Sequence, residues 1–477
     1  MGKFNLLLKN LKICSVGAGY VGVPTMAVFA DYCPDVEFNV VDINKEKIDK
    51  WNSDDLSKLP IYEPGLDDII NKVRGKNLFF STEIENNIRK SQIIFISVNT
   101  PSVVTGKFEN SSDLSNFKKC AEFIAKCSES DKIIVEKSTV PVKSADILKK
   151  IFKTIKPDLK FQILSNPEFL AEGSAIDNLR FPDRVLIGSD KDTSSIFARD
   201  LLVNVYKNWI PKQKIITTNL YSSELSKLVS NAFLAQRISS INSISALCEV
   251  TGADISEIAK AVGADSRIGG KYLKSSIGFG GSCLKKDLLN LIYLSNYYGL
   301  KEVADYWLGV LKINQFQSKR FINKILKCFN GNVNNKHINI LGWAFKQNTD
   351  DSRDSPSIAI AAHLITKGAI LNIHDVKVSK FNIISDLSSF WKNKGFCSEK
   401  VSEFLDRITF KKTNDIDTFN NSSAIVILTE WKEYKVLNFN KIYAVMSKPS
   451  FIFDGRKILN KSKLKSIGYK CFEIGKN

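Results

Sequence analysis

One cysteine of this sequence lies where it could act as a covalent nucleophile. Cys283 follows the glycine-rich run Gly278–Gly281 and begins a predicted helix. The helix dipole lowers the pKa of a thiol at such a position, and Lys285 and Lys286 add positive charge beside it. Asp287 lies one helical turn further on, on the same face. The pattern predicts a reactive thiolate, and the alternative is a buried structural cysteine.

A second glycine-rich run indicates a dinucleotide site. Gly17, Gly19 and Gly22 follow a predicted strand and open a predicted helix, and Asp42 ends the next predicted strand. Glycines allow a tight turn and the close approach of a pyrophosphate, whose charge faces the helix N-terminus. A carboxylate at Asp42 can bind both ribose hydroxyls and repels a 2′-phosphate, which favours NAD over NADP. The alternative for this glycine run is a tight structural turn followed by a surface acid. If a nicotinamide does bind here, a thiolate beside it would suit covalent oxidation of an aldehyde.

Two further groups of polar residues could serve such a reaction. Glu224, Lys227 and Asn231 share one face of a predicted helix, where the lysine and the asparagine could hold an oxyanion or sugar hydroxyls. Glu168 and Glu172 follow the end of a predicted strand, where ligands bind in open α/β sheets. A carboxylate pair there could act as a base. Taken alone, both groups are more typical of a solvated surface.

The other cysteines and the histidines limit the chemistry. Nine cysteines are an odd number, and without a Cys-x-x-Cys pair they argue against a disulfide framework and a zinc cluster. The three histidines offer little material for acid-base catalysis or a metal site, so we expect no metal. We interpret the remaining cysteines as structural: Cys14, Cys33, Cys120, Cys127, Cys248, Cys328, Cys397 and Cys471.

The bulk composition predicts a soluble protein of several domains. A chain of 477 residues is too long for one core, so two or three domains are expected. No apolar run approaches the roughly 20 residues of a membrane helix, and the first residues lack a signal-peptide core. We therefore expect a cytoplasmic protein without a membrane partner. The net charge is +18, but no run of five or six basic residues occurs, so we expect attraction of an anionic substrate and no nucleic-acid binding.

Strands that alternate with helices predict doubly wound parallel sheets in the first and last parts of the chain. Predicted strands cover 11–16, 37–42, 93–98, 132–135, 161–165, 337–341, 370–374, 424–428 and 451–454. Helical stretches fill the part between, starting with a long helix at 221–250. The predicted fold class is α/β, with two doubly wound parallel-sheet domains at 1–218 and 331–477 joined by a central helical domain at 219–330.

These features together resemble the UDP-glucose/GDP-mannose dehydrogenase family over almost the whole chain. The matching segments, in the family's order, are Gly17–Gly22, Val98–Pro101, Ser138–Pro141, Asn166–Gly173, Phe181–Gly188, Ser222–Lys227 with Asn231, Gly278–Cys283 with Asp287, and Phe453–Arg456. The resemblance implies two Rossmann-like domains around a central helical domain, with the active site in the cleft between them. It also implies oxidation of UDP-glucose to UDP-glucuronate by two NAD+, through a thiohemiacetal and a thioester on the cysteine.

The resemblance implies a role for each candidate catalytic residue. Cys283 is the implied nucleophile, and Glu168 is the implied general base for thioester hydrolysis. The remaining roles are oxyanion stabilisation by Lys227 with Asn231, and positioning of the catalytic water by Asp287 with Thr139.

The resemblance also assigns residues to the cofactor, NAD, and to the substrate, UDP-glucose. The implied cofactor-binding residues are Gly17, Ala18, Gly19, Tyr20, Val21, Gly22, Asp42, Lys47, Val98, Asn99, Thr100, Pro101, Ser102, Ser138, Thr139, Val140, Glu172, Cys283, Leu284, Lys285, Lys286 and Arg353. The implied substrate-binding residues are Glu168, Phe169, Leu170, Ala171, Glu172, Lys227, Leu228, Val229, Ser230, Asn231, Arg267, Lys274, Ser275, Ser276, Ile277, Gly278, Phe279, Gly280, Phe345, Lys346 and Arg456.

The resemblance further implies self-association, because in this family the counterpart of Arg267 reaches the substrate from a neighbouring subunit. Both dimers and hexamers are compatible with the sequence. Three features depart from the family, and one of them is an insertion of three residues near Asp54–Lys58. Lys47 stands where arginine is frequent, which keeps the charge and loses forked hydrogen bonding. The loop 102–112 also differs from that of the animal and plant members.

Other functions are open at this point. A relative within the family would oxidise another sugar nucleotide, although the run 169–173 favours UDP-glucose because segments that touch the sugar should vary with it. A reductase or isomerase would not need Cys283, Lys227 and Asp287 together. A non-catalytic homologue is expected to have lost one of these three residues, and a nucleic-acid-binding protein should show clustered basic residues.

Overall fold

The computed structural model describes residues 10–105, 109–411, 413 and 415–476, with 102–105 and 109–112 as backbone only. The chain divides into two compact units, one ending at Ser230 and the other starting at Asn231. The division falls within one long helix, Leu220–Thr251.

The first unit alternates strands and helices along the chain. Its strands are β1 (Lys12–Val16), β2 (Glu37–Val41), β3 (Leu78–Ser81), β4 (Ile93–Ile96), β5 (Ser102–Thr105), β6 (Glu109–Ser112), β7 (Lys132–Glu136), β8 (Phe161–Ser165), β9 (Val185–Ser189) and β10 (Ile215–Thr218). Its helices are α1 (Gly22–Tyr32), α2 (Lys45–Trp51), α3 (Leu66–Val73), α4 (Ile84–Lys90), α5 (Ser115–Cys127), α6 (Ser144–Ile155), α7 (Ala175–Arg180), α8 (Thr193–Tyr206) and the start of α9 (Leu220–Thr251). Short 3-10 helices lie at Leu56–Lys58 and Lys212–Lys214.

Eight of these strands form one sheet, in the order β10-β9-β8-β7-β4-β1-β2-β3, and β5 and β6 form a separate antiparallel pair. Strand β4 shows why the strands of this sheet are continuous apolar runs in the sequence. Ile93 and Phe95 join the core beneath α1 and α8, while Ile94 and Ile96 join the core beneath α5 and α6. Because helices cover both faces, successive residues of the strand are all buried.

The second unit combines helices with a smaller sheet. Its helices are the remainder of α9, α10 (Ile255–Ala264), α11 (Leu284–Tyr297), α12 (Lys301–Cys328), α13 (Pro356–Thr366), α14 (Lys380–Asn393), α15 (Ser398–Leu405), α16 (Phe439–Val445) and α17 (Lys461–Ile467). Its strands are β11 (His337–Leu341), β12 (Ile370–His374), β13 (Ile408–Thr409), β14 (Ala424–Ile427), β15 (Phe451–Asp454) and β16 (Lys470–Glu473). Short 3-10 helices lie at Ile416–Phe419 and Lys432–Val436.

The strands of the second unit form one parallel sheet, in the order β13-β12-β11-β14-β15-β16. One continuous apolar core joins this sheet to the helical part of the unit. Ile277, Phe321 and Ile325, which precede the sheet in the chain, pack in the same buried cluster as Ile340 and Phe453. The segment that leads to Cys283 is therefore anchored in the core of the C-terminal sheet.

The predicted fold class is confirmed, with one difference in strand direction. Strand β9 runs antiparallel to β8, and β10 runs parallel to β9. A buried strand reads as the same short apolar run in either direction, so the hydrophobic pattern does not contain this feature. The domain limits at 218 and 330 stay predictions. Among the described helices, none has the length and hydropathy of a membrane span.

Candidate active site

The glycine run after β1 forms a tight turn whose shape depends on the missing side chains. Gly17 has a φ of +112°, and a Cβ there would lie 2.5 Å from the carbonyl oxygen of Ser97. A Cβ on Gly22, the first residue of α1, would lie 2.2 Å from the carbonyl oxygen of Gly17. At Gly19 a Cβ would meet no protein atom within 4 Å. The turn is closed by protein at its two ends and open at its middle, as a pyrophosphate site requires.

Asp42 is bonded directly to this turn. Its Oδ2 accepts a hydrogen bond from the amide of Ala18 at 2.9 Å, and its Oδ1 accepts one from the amide of Asn44 at 3.0 Å. The ammonium of Lys47 lies 3.4 Å from Oδ2. The carboxylate predicted to hold a ribose is thus fixed beside the glycine turn, with a lysine charge next to it.

Glu63, which no sequence pattern predicts as a functional residue, holds the glycine turn and a candidate substrate loop together. This buried carboxylate contacts the hydroxyl of Tyr20 and accepts hydrogen bonds from the amides of Gly173 at 2.8 Å and Ala175 at 2.5 Å. The residues lie far apart in the chain, so no local pattern indicates the contact. Its only sequence signal is a glutamate inside a Tyr-Glu-Pro-Gly turn.

The two other loops predicted to bind the cofactor are bonded to each other. The hydroxyl of Thr100 donates to the carbonyl of Thr139 at 2.8 Å. The hydroxyl of Ser138 donates to the carbonyl of Val98 at 2.7 Å. Both loops follow neighbouring strands, β4 and β7, so they leave the sheet at the same edge. The predicted residue Ser102 opens β5, and its side chain lies outside the described part.

Glu168 and Lys227 form a buried ion pair in the first unit. The ammonium of Lys227 lies 2.9 Å from Oε1 of Glu168, and their side chains are 4% and 7% exposed. The amide of Leu170 donates to Oε2 of Glu168 at 2.6 Å. Burial by itself raises the pKa of Glu168, but Lys227, the Leu170 amide and Lys137 outweigh it, so the pKa is lowered. A carboxylate is thereby kept ionised in a site from which most water is excluded.

Glu224 lies on the same face of α9 as Lys227 but caps the start of another helix. Glu224, one turn before Lys227 on α9, accepts hydrogen bonds from the amides of Lys143 at 2.6 Å and Ala145 at 2.8 Å. These amides lie at the start of α6, so Glu224 satisfies N–H groups at a helix N-terminus. Glu224 and Lys227 therefore have different partners.

Arg184 connects the two candidate substrate segments of the first unit, the loop that contains Phe169 and the part of α9 that contains Ser230. The guanidinium carbon of Arg184 lies 3.8 Å from the centre of the Phe169 ring. Arg184 also donates from Nη2 to the hydroxyl of Ser230 at 3.2 Å. One arginine thus holds the loop after β8 against α9, through a cation–π contact and a hydrogen bond. Arg184 lies in the matching segment Phe181–Gly188, and no role was predicted for it.

In the second unit, the structure places Cys283 at the N-cap of α11, as an exposed residue 3.4 Å from the hydroxyl of Ser282. The preceding glycines allow close packing that a side chain would block. A Cβ on Gly281, whose φ is +85°, would lie 2.9 Å from the ring of Phe345. A Cβ on Gly280 would lie 2.6 Å from the carbonyl oxygen of Asp354. The glycines therefore let the loop pack against the segment that follows β11.

Asp287 lies one turn into α11 and is bonded to α9. Its Oδ2 accepts a hydrogen bond from the side-chain amide of Asn231 at 2.5 Å, and both residues are buried. This contact joins two of the predicted catalytic residues within the second unit. A buried carboxylate held by an amide donor is suited to fix a water or a substrate hydroxyl nearby.

Three residues predicted to bind ligands lie around this loop. Arg456 donates from Nη2 to the carbonyl of Phe345 at 2.8 Å. The carbonyl of Arg353 accepts from the amide of Gly281 at 2.8 Å. The structure thus brings the Cys283 loop, Phe345, Arg353 and Arg456 together in one unit. Ile277, by contrast, is fully buried and belongs to the core.

Two predicted substrate residues lie on the surface of the second unit. Lys274 is exposed. Arg267 is 87% exposed at its side chain and pairs with Asp265, its Nη2 lying 2.6 Å from Oδ2. The guanidinium of Arg267 therefore has its counterion two residues away in the chain.

Comparisons with known proteins identify the family. Family models of the UDP-glucose/GDP-mannose dehydrogenase family match the chain at 11–210 (NAD binding domain), 221–316 (central domain) and 339–461 (UDP binding domain). The UDP-glucose 6-dehydrogenase 4 of Arabidopsis thaliana is 50% identical, over 98% of this chain and 97% of that protein. The UDP-glucose 6-dehydrogenase of Drosophila melanogaster is also 50% identical, over 98% of this chain and 96% of that protein.

A solved structure agrees with these sequence matches. A UDP-glucose dehydrogenase from the hyperthermophilic archaeon Pyrobaculum islandicum superposes with a TM-score of 0.81 at 28% identity, covering 98% of this chain and 97% of that one. The family resemblance of the sequence motifs is confirmed by the family models, the relatives and the fold. The chain belongs to the UDP-glucose/GDP-mannose dehydrogenase family.

Proposed function

We propose that this chain oxidises UDP-glucose to UDP-glucuronate with two NAD+, using Cys283 as a covalent nucleophile. The observation that carries the proposal is the position of Cys283, which is exposed at the start of α11, one turn before the buried Asn231–Asp287 pair. Relatives that share half of the sequence and are named UDP-glucose 6-dehydrogenases support the choice of sugar.

The glycine turn after β1 fits the dinucleotide. Its middle is open where a Cβ on Gly19 would stand, and the first turn of α1 contains no acidic residue to repel a pyrophosphate. Asp42 is held beside this turn, 3.4 Å from the ammonium of Lys47, where it can bind the ribose hydroxyls. When bound, NAD+ accepts one hydride in each of the two oxidations.

In the first oxidation Lys227 stabilises the negative charge that develops on the C6 oxygen as its proton leaves for water. The aldehyde carbon is then attacked by the thiolate of Cys283. A carbon–sulfur bond forms, and the carbonyl electron pair moves to the oxygen, where a fixed ammonium stabilises it. Hydride loss from this thiohemiacetal leaves a thioester on Cys283.

Hydrolysis releases the product. Glu168 accepts a proton from a water molecule whose oxygen attacks the thioester carbon. The carbon–sulfur bond breaks, and the electron pair leaves with Cys283 as a thiolate. We assign Asp287 and Thr139 to hold the water and Asn231 to assist Lys227. The low pKa of Glu168 keeps it in the form that can accept the proton.

The stoichiometry of the reaction tests this function. We expect purified protein with limiting UDP-glucose and excess NAD+ to form two NADH per sugar consumed, read as absorbance near 340 nm. Each alcohol-to-carboxylate oxidation removes four electrons, and one NAD+ carries two. Formation of only one NADH, or of none, contradicts the proposal. GDP-mannose and UDP-N-acetylmannosamine in parallel assays serve as controls for the sugar nucleotide, and we expect little NADH from either.

We also propose that the chain self-associates, as a dimer or a hexamer. Helix α9 exposes four apolar side chains of the second unit on one face: Phe233, Ile244, Leu247 and Val250. They are 37% to 80% exposed, which is unusual for a row of large apolar residues on one helix face. Burial against a second copy would remove this surface from water.

A charge on this face should disrupt the assembly. We expect Leu247→Glu to shift the protein from an oligomer to the monomer mass of 53.5 kDa in size-exclusion chromatography with light scattering, because burying an unpaired carboxylate is costly. Phe381→Glu is the matched control, since Phe381 is 79% exposed and lies on α14 rather than on α9. An unchanged oligomer in Leu247→Glu, or an equal effect of both variants, would contradict the assignment of this face.

Two further assignments belong to this proposal. We place the reaction in the cytoplasm, where reducing conditions keep thiols reduced. None of the nine cysteines is in a disulfide in the described residues, which fits that compartment.

We also propose that the NAD domain ends near residue 218 and the UDP-sugar domain begins near residue 331, with the central helices between them.

A further inference from the structure

A second buried lysine lies close to Glu168 and takes no part in the mechanism described so far. Lys137 is 3% exposed and follows β7 directly, just before Ser138 and Thr139. Its ammonium donates to the side-chain oxygen of Asn166 at 3.0 Å and contacts the hydroxyl of Tyr206 at 3.4 Å. Both partners are neutral, so within the described part of the chain this ammonium has no carboxylate among its hydrogen-bond partners.

The partners of Lys137 are themselves firmly held. The hydroxyl of Tyr206 donates to Oδ1 of Asn166 at 2.7 Å, and Nδ2 of Asn166 donates to the carbonyl of Leu186 at 2.8 Å. Tyr206 is on α8, and Leu186 is on β9. Asn166 stands two residues before Glu168, on the same loop after β8. The position of the ammonium is therefore set from three elements that surround the loop of Glu168.

A buried ammonium with neutral partners lowers the stability of the fold, so its presence calls for a functional reason. Burial lowers the pKa of Lys137 to about 8, with Glu168 opposing the shift and Lys227 adding to it. An apolar side chain of similar volume would stabilise this position more than an ammonium with neutral partners. Lys227 on α9 and Lys137 after β7 both lower the pKa of Glu168 through their positive charge.

We propose that Lys137 is a positioning residue of the reaction, a second fixed positive charge that, together with Lys227, maintains Glu168 in its basic form. This inference rests on the proposed function, because the step in which Lys137 would act is the hydrolysis of the thioester. Lys227 must also follow the developing charge on the substrate oxygen during each oxidation. Lys137 is held by Asn166 and Tyr206, and we assign it no part in either oxidation, so it can act on Glu168 throughout the cycle.

Two variants test this role: one removes the charge of Lys137, and the other removes only one of its hydrogen-bond contacts. We expect Lys137→Met to move the acidic limb of the pH–rate profile to higher pH by about one unit, because loss of a nearby cation raises the pKa of a carboxyl. At pH values below that limb, the acyl-enzyme should accumulate and be seen by intact-protein mass spectrometry. Tyr206→Phe is the matched control. It removes one contact of Lys137 and leaves the charge, so its acidic limb should match that of the native protein.

A readout that needs no turnover separates this inference from the proposed function. The carboxyl infrared band that disappears in Glu168→Gln reports the protonation of Glu168 directly, and we expect its midpoint to rise in Lys137→Met. If Lys137→Met does not fold, Asn166→Asp provides the second variant, because a carboxylate beside the ammonium should also raise that midpoint. An unmoved midpoint, or an equal shift in Tyr206→Phe, overturns the role of Lys137. A normal infrared shift in a protein that forms no NADH from UDP-glucose overturns only the proposed function.

Discussion

Cys283→Ser is expected to lose at least about 10³-fold in NADH formation from UDP-glucose. The hydroxyl of serine is a much weaker nucleophile than a thiolate, so the aldehyde is not captured and the second oxidation has no covalent intermediate. Any ester that does form should be hydrolysed slowly and accumulate as a species heavier than the free protein. Steady-state rates at 340 nm and intact-protein mass spectrometry measure the two effects.

Cys397 offers a closely matched control. Both cysteines are exposed, and both stand at the N-cap of a helix without a side-chain capping bond, Cys283 before α11 and Cys397 before α15. Cys397→Ser should therefore keep the native rate, because the same chemical change is made outside the candidate site. Native activity in Cys283→Ser would remove this sulfur from the mechanism, and an equal loss in both variants would point to a general effect of the substitution.

The second large effect is expected for Lys227→Met. The rate should fall by about 10²- to 10³-fold, because the charge that stabilises each oxyanion is lost. The protein should also lose about 3–5 kcal/mol of unfolding free energy, since Glu168 would be left buried without its ion-pair partner. Both side chains are almost fully buried, so solvent screening does little to soften this cost. Urea unfolding measures the stability, and NADH formation measures the rate.

A double variant separates the two roles of Lys227. In Lys227→Met with Glu168→Gln no charge of the pair remains, so much of the lost stability should return while activity stays low. Recovery of activity in the double variant would contradict both assigned roles, because this variant lacks the proposed base Glu168 as well as the cation that stabilises the oxyanion. A single Lys227→Met variant with native stability would mean that the carboxylate has found another partner or has taken up a proton.

The sequence predicts best those features that depend on consecutive residues. The glycine turn at Gly17–Gly22 is one, because the turn, the helix start and the following strand all lie within one short stretch. The position of Cys283 at a helix start is another. Several strands are also predicted at their observed bounds, such as 161–165 and 337–341, because both faces of a covered sheet demand apolar residues.

Contacts between distant parts of the chain are much harder to predict. Lys137 looks like an ordinary surface lysine in the sequence, since charged residues are mostly exposed, and only the fold shows it buried near Glu168. The clamp of Glu63 on Tyr20 and Gly173 is hidden for the same reason. The family resemblance supplied roles for Lys227 and Glu168, but the spacing of residues alone did not show that they form a pair.

The continuous core of the second unit has a consequence for the lifetime of the reactive thiol. The loop before Cys283 is anchored through Ile277 among side chains of the C-terminal sheet, and Gly281 packs on the ring of Phe345. The loop of the nucleophile is therefore held partly by that sheet and partly by Asn314 of α12, which exchanges two hydrogen bonds with Phe279. Damage to the sheet, by heat or by proteolysis at its edge, would remove the first of these supports, so we expect activity to fall as the C-terminal fold is lost.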